Sequence, residues 1–147
     1  MKIELKPIGI IHSPYKTKGD VPIQAYLSDR VGEVEVFKKY EDGLKDIEGF
    51  SHIIIIYAFH KSKGYSLHVK PFLDDVSRGL FSTRTPNRPN PIGISVVGLV
   101  GRRGNILKIR GMDVLDSTPL LDIKPFVPRF DDRENIRYGW LEDKLEK

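Results

Sequence analysis

The chain has 147 residues, 39% of them hydrophobic and 30% charged, which suits one globular unit around a single core. It contains no cysteine, so disulfides, thiolate zinc sites and a cysteine nucleophile are excluded. The formal net charge is +4, and the longest apolar run, residues 53–59, is far too short to span a bilayer.

Lys2, Glu4 and Lys6 interrupt any apolar core at the start, so no signal peptide is expected and a cytoplasmic protein is the default. Residues 3–11 predict a strand that ends in the polar stretch His12-Ser13-Pro14-Tyr15-Lys16. Residues 31–37 alternate Val34 and Val36 with Glu33 and Glu35, the pattern of a half-buried strand. A short turn or helix follows over residues 40–47. Residues 52–60 form a β-branched run bounded by polar residues, which predicts a well-buried strand. A turn at residues 61–64 leads into residues 66–70. Residues 91–102 and 106–112 predict two strands of a hairpin, joined by Arg103-Gly104-Asn105. Residues 132–147 carry Ile136, Trp140, Leu141 and Leu145 at roughly helical spacing, which predicts a short C-terminal helix. Closely spaced strands with few helices point to a β-barrel or sandwich.

Charge is unevenly spread. From Arg78 to Met112 there are seven basic residues and no Asp or Glu, while the rest holds 17 basic against 20 acidic residues. A basic window on a slightly acidic chain suits a local polyanion partner, or simply a solvated basic face.

Several familiar sites are absent. Gly98, Gly101 and Gly104 do not have the dinucleotide-binding spacing and lie in a strand and hairpin, and no phosphate-binding loop of the P-loop type occurs. His52 and His60, on one strand, would sit roughly 26 Å apart and cannot share an ion. No metal is expected.

The informative stretch is residues 81–95, Phe-Ser-Thr-Arg-Thr-Pro-Asn-Arg-Pro-Asn-Pro-Ile-Gly-Ile-Ser. Pro86, Pro89 and Pro91 fix their own φ and push Thr85, Arg88 and Asn90 towards extended backbone. The loop is therefore ordered before a ligand arrives, which lowers the entropic cost of binding. Arg84 and Arg88 suit carboxylate or phosphate oxygens, Asn87 and Asn90 can donate and accept, and Gly93 allows close backbone approach. A second stretch offers Asp113, Asp116 and Asp122, each able to contact a ribose hydroxyl, take a proton or stabilise a turn.

Together these segments resemble the TrmO/TsaA-like family. Its hallmark loop Thr-Arg-Ser/Thr-x-x-Arg-Pro-Asn-Pro-Ile-Gly is matched at residues 83–93. Its Leu-x-Asp-Gly-Thr-Pro-x-x-Asp-Ile-Lys-Pro-Tyr pattern resembles residues 114–126, with Ser117 for the usual glycine and Phe126 for the common tyrosine. The opening Ile-Gly-x-Ile-x-Ser-Pro-Tyr-Lys matches residues 8–16, and Gly49 to His60 matches a Gly-Phe-Ser-His segment and its strand.

The resemblance implies one domain over residues 1–147, with a motif core at about 8–126 and a C-terminal extension at 127–147. It implies a mainly β fold, a single-sheet antiparallel β-barrel with short helices, and a homodimer that binds S-adenosylmethionine near the subunit interface. The implied reaction is methylation of N6 of N6-threonylcarbamoyladenosine beside the anticodon of tRNA. Cofactor contacts map by motif onto Gln24, His60, Lys61, Arg84, Ile94, Leu115, Asp116, Ser117 and Thr118. Substrate contacts fall on Asn87, Arg88, Asn90 and Lys124, with Arg84 or Arg88 placed to hold the threonyl carboxylate. The carbamoylated N6 is a poor nucleophile and needs to lose its proton, so Asp116 or a nearby group is the expected base, with Arg84 beside it in the catalytic group. Other readings are an RNA-binding barrel without turnover and a methyltransferase for another RNA or small molecule. Longer relatives of the family carry an extra C-terminal domain, which is not expected here.

Overall fold

In the computed structural model, which describes residues 1–21 and 29–145, six strands close into an antiparallel barrel. The strands are β1 (Gly9–His12), β2 (Val31–Val36), β3 (His52–Ala58), β6 (Ile92–Arg103), β7 (Ile106–Arg110) and β8 (Thr118–Pro125). Two further short strands, β4 (His68–Val69) and β5 (Arg78–Gly79), pair outside the barrel. The barrel order is β1-β2-β7-β6-β3-β8, with β8 returning to β1. Each strand turns alternate side chains inward. Ile11, Val34, Ile53, Ile55, Val97, Leu107, Ile109 and Leu120 fill the interior with almost no exposure. A six-stranded barrel is narrow enough for such side chains to fill it.

The β6–β7 hairpin matches the sequence expectation, and Gly104 at its turn has φ +62°, a conformation that favours glycine. The 52–60 run forms β3 but is buried on one face only: Ile53, Ile55 and Tyr57 point in, while Ile54 and Ile56 do not. The 40–47 segment becomes 3-10 turns at Lys38–Leu44 and Ile47–Gly49.

Three expectations change. The first strand begins only at Gly9, and Ile3 and Leu5 lie exposed before it. Pro7 has no N–H to continue the ladder. The C-terminal helix is replaced by one turn, α1 (Pro128–Asp131), and a 3-10 turn at Gly139–Leu141. Asn135 and Gly139 have positive φ, which a right-handed helix cannot accommodate. Finally, the predicted turn forms at Asp116-Ser117, where the Thr118 hydroxyl bonds back to Leu115 O, but β8 begins at Thr118, so Thr118 and Pro119 are strand.

Candidate active site

The end of β3 and the start of β6 lie side by side, with Tyr57 opposite Gly93 and Ala58 opposite Ile92. The Phe59 N–H donates to the Pro91 carbonyl at 2.7 Å, which fastens the proline loop to the segment carrying His60 and Lys61. The Ser62 hydroxyl adds a bond to Asn87 Oδ1 at 2.7 Å. Across the barrel mouth, the turn after β7 is tied to β1: the Asp116 N–H donates to Tyr15 O and the Ser117 N–H to Ile11 O, at 2.7 and 2.8 Å.

These elements enclose a cleft of about 490 Å³, within the size range of small-molecule sites. Tyr57, Phe59, Ile92, Ile94, Val114 and Leu115 supply apolar wall. Lys18, Lys61, Arg84 and Arg88 bring positive charge, and Asp113 is the one acidic side chain on the wall among the described residues. His60 also lines the cleft, and partial burial, then the Lys61 charge beside it, holds its pKa below the ordinary histidine value. Its imidazole is therefore neutral at neutral pH.

His60, Lys61, Arg84, Arg88, Ile94, Leu115 and Thr118 are thus brought together on the cleft wall. Gln24 lies outside the described residues. The two loop arginines differ. The Arg88 guanidinium donates from Nη1 to the carbonyls of Thr83 and Thr85 at 2.9 and 3.0 Å, so it staples the loop internally. Arg84 is exposed and lines the cleft with no such bond among the described contacts, which leaves it the arginine able to meet a ligand.

Asp116 and Ser117 sit in the turn but not on the cleft wall. The Asp116 carboxylate accepts from Lys16 Nζ and from the Ser13 N–H, both at 2.8 Å. These bonds hold its pKa below the ordinary carboxylate value, Lys16 most strongly, which makes it a weak proton acceptor. Asn87 is bonded to Ser62 beside the cleft, and the Asn90 carbonyl accepts from the Ile92 N–H, so both shape the loop. Lys124 is six residues along β8 from Thr118, roughly 20 Å away in extended chain. It pairs with Asp122 at the far end of the barrel.

The residue pattern does not by itself single out Tyr57, whose phase matches the core residues Ile53 and Ile55. It names Asp113 only as one carboxylate of three. One usable signal is Ser95, a polar residue in phase with inward Gly93 and Val97. Its hydroxyl is 2.8 Å from the Tyr57 hydroxyl and donates to Asp113 Oδ1 at 2.6 Å. Among the described residues no group of three His, Asp or Glu side chains is arranged to hold a metal ion.

The family model for the tRNA-methyltransferase O N-terminal domain matches residues 10–132. A probable S-adenosyl-L-methionine-binding protein of Pyrococcus abyssi is 62% identical over 97% of this chain and 78% of its own length. The human tRNA (adenine(37)-N6)-methyltransferase is 33% identical over 89% of this chain, which spans only 32% of that enzyme. A crystal structure of TrmO from Pseudomonas aeruginosa superposes with a TM-score of 0.80 at 34% identity, covering 95% of this chain and 63% of that one. The barrel, the cleft built from the motif loops and these matches have one reading: the chain belongs to the TrmO family of tRNA methyltransferases.

Proposed function

We propose that this chain is an S-adenosylmethionine-dependent methyltransferase that methylates N6 of an adenine in tRNA, with N6-threonylcarbamoyladenosine beside the anticodon as the substrate. The observation that carries the reading is the cleft at the barrel mouth, where the hallmark loop, the end of β3 and the 113–118 turn converge. The site fits the cofactor: its volume suits a nucleoside joined to an amino acid, and its apolar wall suits an adenine. When bound, S-adenosylmethionine supplies an electrophilic methyl group. His60, Lys61, Arg84, Ile94, Leu115 and Thr118 would hold it.

Displacement at a methyl carbon depends on alignment and exclusion of water, which a prolyl loop fixed before binding favours. Arg84, exposed on the cleft wall, would pair with the threonyl carboxylate, and that pairing would favour the modified adenosine over a bare one. The chain would act in the cytoplasm, as one domain. A homodimer is supported by the outer face of β6, where Ile92, Ile94 and Val96 are all more than a third exposed. Ile94 belongs to both that face and the cleft wall, so a partner seated there would border the site.

Nucleoside mass spectrometry of threonylcarbamoylated tRNA, after incubation with protein and S-adenosylmethionine, tests the reading. A 14-Da gain on the modified adenosine is expected, by the chemistry of adding one CH2 (roughly 14 mass units). Cofactor binding without methyl transfer would instead identify an RNA-binding barrel, and transfer to unmodified RNA a different substrate.

A further inference from the structure

We propose that Asp113 takes the proton from N6 of the substrate adenine, and that Ser95 and Tyr57 are positioning residues that aim its carboxylate. This assignment rests on the methyltransferase reading above. Among the described residues Asp113 is the one acidic group on the cleft wall. Its Oδ1 accepts from Ser95 Oγ at 2.6 Å, and Ser95 Oγ lies 2.8 Å from the Tyr57 hydroxyl. Proton counting gives the chain its direction. An ionised carboxylate only accepts, so the single Ser95 proton goes to Asp113 and the Tyr57 proton to Ser95.

Both hydroxyls are buried: Ser95 is 5% exposed and Tyr57 3%. Valine and phenylalanine would fill those inward positions without the cost of burying polar groups. What the two hydroxyls add is a fixed carboxylate at the cleft. Burial, then the Asp113 charge, drives the Tyr57 phenol well above its ordinary pKa, so it stays protonated and remains a donor. Asp116 is bound to Lys16 and Ser13 away from the cleft wall, and His60 sits on the exposed rim. In the step, N6 bonds to the methyl carbon while the carbon–sulfur bond breaks and its electron pair goes to sulfur. The N6 proton passes to Asp113 and then to solvent.

The test uses the full chain with Asp113→Asn, Ser95→Ala, Tyr57→Phe and His60→Gln. It measures single-turnover transfer to threonylcarbamoylated tRNA, calorimetric affinity for S-adenosylmethionine, and NMR titration of the Asp113 carboxyl in cofactor-free protein. Asp113→Asn is expected to slow transfer by about 10²–10⁴-fold while cofactor affinity is kept. Ser95→Ala should slow it about tenfold, the loss of one hydrogen bond to a charged group. In that variant both the acid limb of the rate profile and the Asp113 titration move to higher pH, because the charged form has lost a donor. Tyr57→Phe should move both the same way, by less.

Asp113→Asn with undiminished transfer overturns the proposal. So does lost cofactor affinity with full rate at saturation, which would make Asp113 a counter-charge, and so does a loss in His60→Gln that Asp113→Asn does not share. If Asp113→Asn does not fold, Ser95→Ala and Tyr57→Phe decide: slowed transfer with an unmoved titration overturns it. An unaltered protein that transfers no methyl group overturns the methyltransferase reading itself, and this assignment with it.

Discussion

A methyl group at Gly93 would lie 2.5 Å from the Tyr57 ring and 2.7 Å from the Phe59 ring, and the Tyr57 ring is buried with nowhere to retreat. The glycine of the hallmark loop is thus the floor clearance for two rings that pack edge-on at 5.5 Å. Gly93→Ala is expected to cost about 1–3 kcal/mol as overpacking, read as a lower melting temperature, and to slow methyl transfer by shifting Tyr57. Ser117 has φ +66°, a left-handed backbone that glycine adopts without strain. Relief of roughly 1–2 kcal/mol of strain, less about 0.4–1 kcal/mol for a freer unfolded chain, predicts a small gain for Ser117→Gly in denaturant melts. Arg84 separates from the hairpin arginines in another way. Arg102 is not a mobile surface charge, since its guanidinium donates to the carbonyls of Gly104 and Leu44 at 2.8 and 3.1 Å. Exposed Arg103 is the proper comparator. Arg84→Ala should lose about one to two decades of kcat/KM at any salt concentration. Arg103→Ala should weaken tRNA binding and lower its salt slope by about one. Equal losses in the two variants, scaling with salt, would place Arg84 in the diffuse basic face.

At the level of elements, one carboxylate adds a charge-dependent tie to the backbone bonds that hold the 113–118 turn. Asp116 joins it to the 13–16 segment through Lys16 and the Ser13 N–H, and the same segment is tied by the Tyr15 N–H donating to Ser13 Oγ at 2.9 Å. Because the Asp116 pKa is lower in the folded chain than its ordinary value, the bond stabilises the fold above the unfolded carboxylate pKa, about 4. That contribution fades as the pH falls from there through the lower folded value. Asp116→Asn is therefore expected to cost about 1 kcal/mol at pH 7, a figure reduced for the solvent around exposed Lys16. The melting difference from the unaltered protein should shrink towards pH 3 and below. A difference independent of pH would mean that turn geometry, not charge, carries the effect.

Across the whole molecule, the C-terminal segment returns to the loop that precedes the site. The Trp140 indole N–H donates to Ser82 O at 2.8 Å, Arg78 stacks over the Trp140 ring at 5.4 Å, and Lys144 approaches Asp74 at 3.8 Å. Ser82 is two residues before Arg84, so this contact helps to set where the prolyl loop begins. Trp140→Ala is expected to speed amide hydrogen exchange over residues 78–85 while the barrel strands keep their protection. Unchanged exchange there would show that the loop's prolines and its Arg88 and Asn87 bonds hold it without Trp140. The assembly is open to a separate check. Light scattering should give the mass of two chains at micromolar concentration, and Ile94→Glu on the exposed β6 face should shift it towards one.

Strand alternation at Val34 and Val36, the hairpin around Gly104 and the three-proline loop were legible from the residues alone, because each is decided by neighbours in sequence. Strand β8 was not legible. Local turn signals at Asp116-Ser117 and Pro119 mask it, and only the partners Ile10 and Ile55, which face Pro119 and Ile123, define it as a strand. The C-terminal helix failed for a related reason, since helical spacing does not reveal the left-handed backbone at Asn135 and Gly139. At the site, residue types alone indicated a rigid basic loop, and the structure sets its Arg84 and Arg88 on the cleft wall. Tertiary structure decided which arginine is bonded within the loop, which carboxylate reaches the cleft, and that Lys124 stands at the opposite end of the barrel. The physical reason is that a side chain's chemistry is set by its partners, and in a closed barrel those partners come from strands far apart in sequence.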